Sequence, residues 1–226
     1  MAKVQKPKAL RTSPCNAQPA TGTAMSASSS SISIPYPAVN CGMVPDDAQC
    51  KRWWHTYGML ENVAVHSLLV AGIASWIGHR AKTRGLEISE QTLRAAGLLH
   101  DLAKTYTVRH GGNHSQLGAA WVMALTGNPA IAQAVRHHVM WPGPLDVRTH
   151  FVPLVIIYAD KRVKHDQIVT LQERFSDLFD RYGINEARIA SMNRSFAQVE
   201  HIEGELSTLL EVDLHAYPFD SRGMVQ

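Results

Sequence analysis

The residues of this chain whose types and spacing can do chemistry are His66, His100, Asp101, His114, Asp160 and at least one of the pair His137-His138. Each closes or interrupts an apolar run. His66 shares helical spacing with Val63, Leu69, Val70, Ile73 and Ile77, His100-Asp101 follows "AAGLL", and Asp160 follows "VIIYA". His114 comes 13 positions after Asp101, and His137-His138 ends "AIAQAVRHH". A single imidazole on an apolar face is ordinarily a hydrogen-bonded core residue. Five segments that each deliver an imidazole or a carboxylate out of an apolar run need a common cause. A buried ionised group is costly unless it is paired or ligated. A shared metal centre accounts for all of them at once.

Histidine and aspartate without thiolate suit Fe, Mn, Co, Ni or Zn. Six such ligands match two divalent ions, with the two oxygens of Asp101 placed to bridge them. Coordination positions left open mark a catalytic rather than a structural site. There a bound water has its pKa lowered toward neutrality. Asp101 and Lys104 are therefore the candidate catalytic residues. Lys104, Lys161 and Arg162 are the cations near enough in sequence to neutralise a phosphate. Lys104 also reads as a solvated lysine at a helix end, and of Lys161-Arg162 one is expected on the substrate side and one at the surface.

The elements that must position these residues are helical. "ENVAVHSLLVAGIASWIGHRAKTRG" is amphipathic with a glycine stop, and "SEQTLRAAGLLHDLAK" starts at a Ser89 cap. "NHSQLGAAWVMALTG", "NPAIAQAVRHHVM", "VPLVIIYADKRVKHD", "LQERFSDLFDRYG" and a long helix from Asn185 follow. "VPLVIIY" is β-branched enough for a strand, but it has no partner strand and reads as a buried helix. The fold class is all-α. Asp166, Glu173, Arg174 and Asp177 read as a salt-bridged outer face, and Trp53-Trp54 as core.

With 226 residues, 45% hydrophobic and 18% charged, the chain suits one globular domain. The net charge of +3 is too mild to imply nucleic acid or an anionic membrane as partner. No apolar run approaches the roughly 18 residues of a membrane span. Cys15, Cys41 and Cys50 form no CxxC, so a reducing, cytoplasmic setting is expected. Residues 1–45 hold no acidic residue and include "SASSSSIS". They read as a disordered tail, with an organellar transit peptide as the second reading. The helical domain is expected over 46–215, with a short C-terminal tail over 216–226.

The pattern resembles the HD-domain metal-dependent phosphohydrolases. The H…HD…D signature of that family reads here as His66, His100-Asp101 and Asp160, and "AGLLHDLAK" is close to the usual "AaLLHDIGK". His114 and His138 resemble the added ligands of the members that bind two metals. "AVRHHVMWPG" followed by "YADKR" is similar to the "AIRYHTTG…YLADYIEP" arrangement of bacterial symmetrical dinucleoside tetraphosphate hydrolases. That match favours His138 as the ligand and His137 as a substrate contact. The resemblance spans about residues 46–183 and implies a single HD-domain helical bundle. The implied activity is hydrolysis of a phosphate ester, a nucleotide or nucleoside polyphosphate, by a metal-activated hydroxide. The implied partner is a small-molecule phosphate, without nucleic acid or membrane, and a homodimer is left open. A nucleotide-sensing regulatory HD protein and a di-iron oxygenase on the same scaffold are the alternatives. Every signature position is filled, which favours the enzyme.

Overall fold

The computed structural model describes residues 42–219. The expected disordered tail therefore lies, over residues 1–41, outside the described residues, as do residues 220–226. The described chain is helical apart from one short ribbon: α1 (Asp47–Thr56), α2 (Glu61–Thr83), α3 (Glu90–Leu99), α4 (Lys104–His110), α5 (His114–Thr126), α6 (Pro129–His137), α7 (Phe151–Lys161), α8 (Leu171–Tyr182) and α9 (Glu186–Leu210). Strands β1 (Val163–Lys164) and β2 (Gln167–Ile168) pair antiparallel between α7 and α8.

Side-chain caps decide where the helices start. The Asp46 carboxylate accepts from the Gln49 amide, Ser89 Oγ from Thr92, and Asn113, Asn128 and Asn185 cap α5, α6 and α9. Thr170 and Glu173 close a capping box on α8. These bonds satisfy amides that the first turn leaves without partners.

Helix α7 is buried at Phe151 and from Pro153 to Lys161, and α2, α3, α6, α8 and α9 pack around it. A helix that is apolar on all sides belongs in a core, and helices on every side leave "VPLVIIY" no strand to pair with. Helices α2 and α3 meet at Ala71 and Gly97. A Cβ on Gly97 would lie 2.6 Å from the Ala71 Cα and 2.9 Å from its N. This crossing brings His66 and His100 together, with ring centroids 5.3 Å apart. Gly97→Ala is expected to cost about 1–3 kcal/mol, because the helices must separate. That corresponds to a loss of about 2–12 °C in Tm for a chain of this size. A Tm unchanged within a degree would mean that the two backbones part freely.

Three expectations need correction. "SEQTLRAAGLLHDLAK" is not one helix: α3 ends at Leu99, and α4 starts at Lys104. Helix α7 stops at Lys161 rather than running to Asp166. The β-branched Val163 and Ile168 pair across a tight turn in which His165 takes a φ of 56°. The domain also runs past both expected ends, 46 and 215. The Met43 amide donates to Thr126 O at 2.8 Å, Gln91 donates to Pro45 O at 2.8 Å, and Tyr217 and Phe219 pack on Trp76. Phe219 is thus part of the core, with Tyr217 half-buried against it. Trp53 and Trp54 are buried as expected, and the Trp54 indole donates to Leu98 O at 2.8 Å. Among the described residues no helix is long and apolar enough to cross a membrane.

Candidate metal centre

Five segments converge on one point. His66 comes from α2, His100-Asp101 from the break between α3 and α4, His114 from the first turn of α5, His138 from the C-cap of α6, and Asp160 from the last turn of α7. Their ligand atoms form two triplets, His66/His100/Asp101 and Asp101/His114/His138, each with all atoms within 4.8 Å of one another. Asp101 belongs to both. Its Oδ2 lies 3.5 Å from His100 Nε2, and its Oδ1 lies 3.4 Å from His114 Nε2 and 3.5 Å from His138 Nε2. His114 and His138 face each other Nε2 to Nε2 at 3.1 Å. Asp160 Oδ1 is 3.0 Å from His66 Nε2 and 3.7 Å from His100 Nε2, which joins it to the first triplet.

The backbone aims two of the imidazoles. His100 Nδ1 is 2.7 Å from Gly97 O, and His138 Nδ1 is 2.8 Å from Val135 O. A carbonyl only accepts, so each Nδ1 carries a proton, and each Nε2 faces Asp101. Ligating histidines are commonly fixed in this way. His100 Nε2 and Asp101 Oδ1 are buried without a hydrogen-bond partner among the described residues. An unsatisfied buried acceptor costs about 1–3 kcal/mol. Two of them converging fit a cation, and the nitrogen and carboxylate donor set fits a divalent transition metal.

The charges agree with this assignment. Burial pushes the Asp101 carboxyl up, but the positive charge at His100, and after it that of Lys104, holds it well below the usual carboxylate range. Burial likewise raises Asp160, and Lys161 and His66 outweigh it. Both carboxylates are anions at neutrality. Burial drives the His114 pKa down to about 4 and lowers that of His66, so both rings are neutral donors. Burial also opposes charge on His100, but the Asp101 and Asp160 carboxylates reverse the effect and raise its pKa.

The remaining expected site residues divide. Lys104 Nζ lies 2.8 Å from Asp101 Oδ2 with 41% of its side chain exposed, at the open edge of the cluster. Lys161 is buried, with Nζ 2.5 Å from Asp160 Oδ2, so it neutralises the carboxylate oxygen that does not face His66. The expectation that Arg162 contacts substrate does not hold. Its guanidinium donates to Val169 O, Leu214 O, Tyr217 O and the Tyr158 hydroxyl, and 2% of the residue is exposed. His137 lies outside both triplets and packs edge-on against Trp141. Arg174, read from sequence as outer face, is 11% exposed in its side chain. Leu171, Arg174, Phe175 and Leu178 have the spacing of an apolar stripe. An arginine in that register was the signal to follow.

Comparison with known proteins agrees with the geometry. The HD domain family model matches residues 63–183. Ribonuclease Y of Campylobacter hominis is 37% identical over 83 residues, covering 37% of this chain and 15% of that protein. Ribonuclease Y of Campylobacter curvus is 36% identical over 83 residues, again 37% and 15%. An uncharacterized protein of Methanocaldococcus jannaschii is 32% identical over 79 residues, covering 35% of this chain and 46% of that one. The matched stretch spans less than half the length of each of these relatives. No solved structure matches significantly. Because the family match takes in more than half of the chain, and every convergent ligand with it, this chain belongs to the HD-domain family of metal-dependent phosphohydrolases.

Proposed function

We propose that the chain hydrolyses a phosphate ester or anhydride of a nucleotide or nucleoside polyphosphate at a two-ion centre. His66, His100, Asp101 and Asp160 would hold one ion, and Asp101, His114 and His138 the other. The observation that carries this reading is that Asp101 belongs to two ligand triplets at once. Divalent ions bound there supply a water of lowered pKa and positive charge for phosphoryl oxygens. The chain's own residues do the rest. The backbone-fixed His100 and His138 and the carboxylate of Asp101 preset the donor geometry, so little reorganisation is needed at the moment of reaction. Substrate approaches from the side of Lys104 and His114, whose side chains are 41% and 28% exposed while His66, His100 and Asp101 are buried. Lys104 can exchange Asp101 Oδ2 for a non-bridging phosphoryl oxygen.

The test begins with metal analysis of untagged protein purified without chelator and reconstituted with Mn or Fe, where two ions per chain are expected. One ion or fewer would remove His114 and His138 from the ligand set. The loaded protein then meets nucleotides, dinucleoside polyphosphates, simple phosphate esters and a short RNA, with Mn, Co, Fe and Zn in turn. RNA belongs in the panel because of the 83-residue stretch that is 37% identical to ribonuclease Y. Lys104→Ala is expected to lower kcat/KM by about ten- to a hundredfold, as loss of one charge-assisted contact implies. Silence of fully metallated protein across the panel would favour the nucleotide-sensing reading. Oxygen consumption by the reduced protein would favour the di-iron oxygenase.

A further inference from the structure

The side-chain charges that build the centre cancel. Asp101 and Asp160 are its two carboxylates, and each is paired with one ammonium group. Lys104 Nζ lies 2.8 Å from Asp101 Oδ2, and Lys161 Nζ lies 2.5 Å from Asp160 Oδ2. Among the described residues neither ammonium forms an ion pair with any other carboxylate. The remaining ligand atoms of the two triplets are imidazole nitrogens, which bring no negative charge. The second pair is built into the core: the side chains of Lys161 and Asp160 are 9% and 8% exposed. A buried lysine is costly unless it is paired, and Asp160 still turns its other oxygen, Oδ1, to His66 Nε2 at 3.0 Å.

Divalent ions held by this set keep their positive charge, less one unit for a bound hydroxide, with no side-chain anion left over to offset it. Charge that is shielded from solvent on the protein side is poorly screened. The compensating charge has to arrive with the substrate, from the side where Lys104 is 41% exposed. A terminal phosphoryl group presents two negative charges there, above its second pKa of about 6. The phosphate of an internal diester presents one. One unit of charge, a few ångströms from the ions at an effective dielectric of about 20, separates the two by about ten- to a hundredfold in binding.

We propose that the centre selects a terminal, doubly charged phosphoryl group over an internal phosphodiester, and that Lys161 is the positioning residue that sets this preference. Lys161 does not touch substrate. It holds Asp160 Oδ2, leaves Oδ1 alone to face His66 and His100, and cancels one of the two negative charges of the ligand set. Lys104 cancels the other at Asp101 Oδ2. The assignment rests on the phosphohydrolase reading and narrows its substrate to a nucleotide or polyphosphate that ends in a free phosphate.

The test uses the full chain reconstituted with Mn at pH 8. Calorimetry compares inorganic phosphate with dimethyl phosphate, and kinetics compare a nucleoside 5′-monophosphate with the dinucleoside monophosphate of the same nucleoside. The wild type is expected to favour the doubly charged member of each pair by about ten- to a hundredfold. In Lys161→Gln both preferences should fall by about tenfold, with metal content unchanged, and in Lys161→Arg, which keeps the charge, they should be retained. Each preference is a ratio within one preparation, so a loss of folded or metal-loaded protein divides out. If Lys161→Gln does not fold, Lys104→Gln at the exposed edge carries the same expectation. A wild type that cleaves the diester as readily as the monoester overturns the preference and leaves the phosphohydrolase reading standing. A Lys161→Gln ratio equal to that of the wild type overturns the role of Lys161, as does an equal loss in Lys161→Arg, which would place the effect in packing. A metal-loaded wild type that neither binds phosphate nor hydrolyses any ester overturns the phosphohydrolase reading, and the preference with it.

Discussion

Asp101→Ala is expected to abolish hydrolysis and to remove most of the stabilisation that metal gives the fold. Other ligands belong to one triplet or to one edge of the cluster, whereas Asp101 belongs to both. Its loss leaves His66, His100 and Asp160 on one side and His114 and His138 on the other, without the anion that offsets two divalent charges. Metal binding to the native state stabilises by mass action, about 2.7 kcal/mol for one site at a hundredfold excess over Kd. For a chain of this size, each kcal/mol corresponds to about 2–4 °C in Tm. Wild-type protein should thus gain about 5–10 °C on going from chelator to saturating Mn. Asp101→Ala should gain less than a third of that, and Asp101→Asn should follow it, since an amide keeps the shape but not the charge. Thermal melts with and without chelator give the comparison, and turnover on the best substrate completes it. A full metal-dependent shift with unchanged turnover would take Asp101 out of both roles.

The convergence of these His and Asp residues was legible in the sequence for a specific reason. His100-Asp101, His138 and Asp160 close apolar runs and His66 sits on an apolar helix face, and such a position contradicts its own burial unless something ligates the group; His114 was marked only by its place at the head of the next helix. Helix starts were legible through the same local chemistry, since Ser89, Asn113, Asn128 and Asn185 cap through bonds to residues only two or three positions away. What local pattern cannot carry is the direction a side chain takes once helices pack. Arg162 lies two residues after Asp160, and two residues turn a helix by about 200°. Asp160 therefore faces the cluster, while Arg162 faces the C-terminal segment together with Tyr158, one turn earlier. Arg174 is covered because α8 packs on α7 and α9, which its local pattern does not announce. The same limit applies to residues 42–45 and 216–219. Their sequences are short and weakly patterned, and only the grooves that receive them make them part of the domain.

Arg162 is accordingly expected to act on stability, not on substrate. Its guanidinium ties α7 to the segment after β2 through Val169 O at 2.7 Å, and to the chain after α9 through Leu214 O at 2.6 Å and Tyr217 O at 2.8 Å. It also donates to the Tyr158 hydroxyl, lies over the Phe219 ring at 5.1 Å, and stands 3.9 Å from the buried Glu203. Arg162→Ala leaves three carbonyls without these donors and Glu203 without its buried cation. Breaking a buried pair by removing one partner costs about 3–5 kcal/mol, which corresponds to about 6–20 °C in Tm. Arg162→Lys should recover little, because one ammonium cannot reach acceptors spread around a planar fork. Below the melting transition, KM and phosphate affinity per folded molecule should match the wild type, since none of these contacts faces Asp101. Differential scanning calorimetry and steady-state kinetics on the same preparation separate the two roles. An unshifted Tm with a raised KM would return Arg162 to the substrate side.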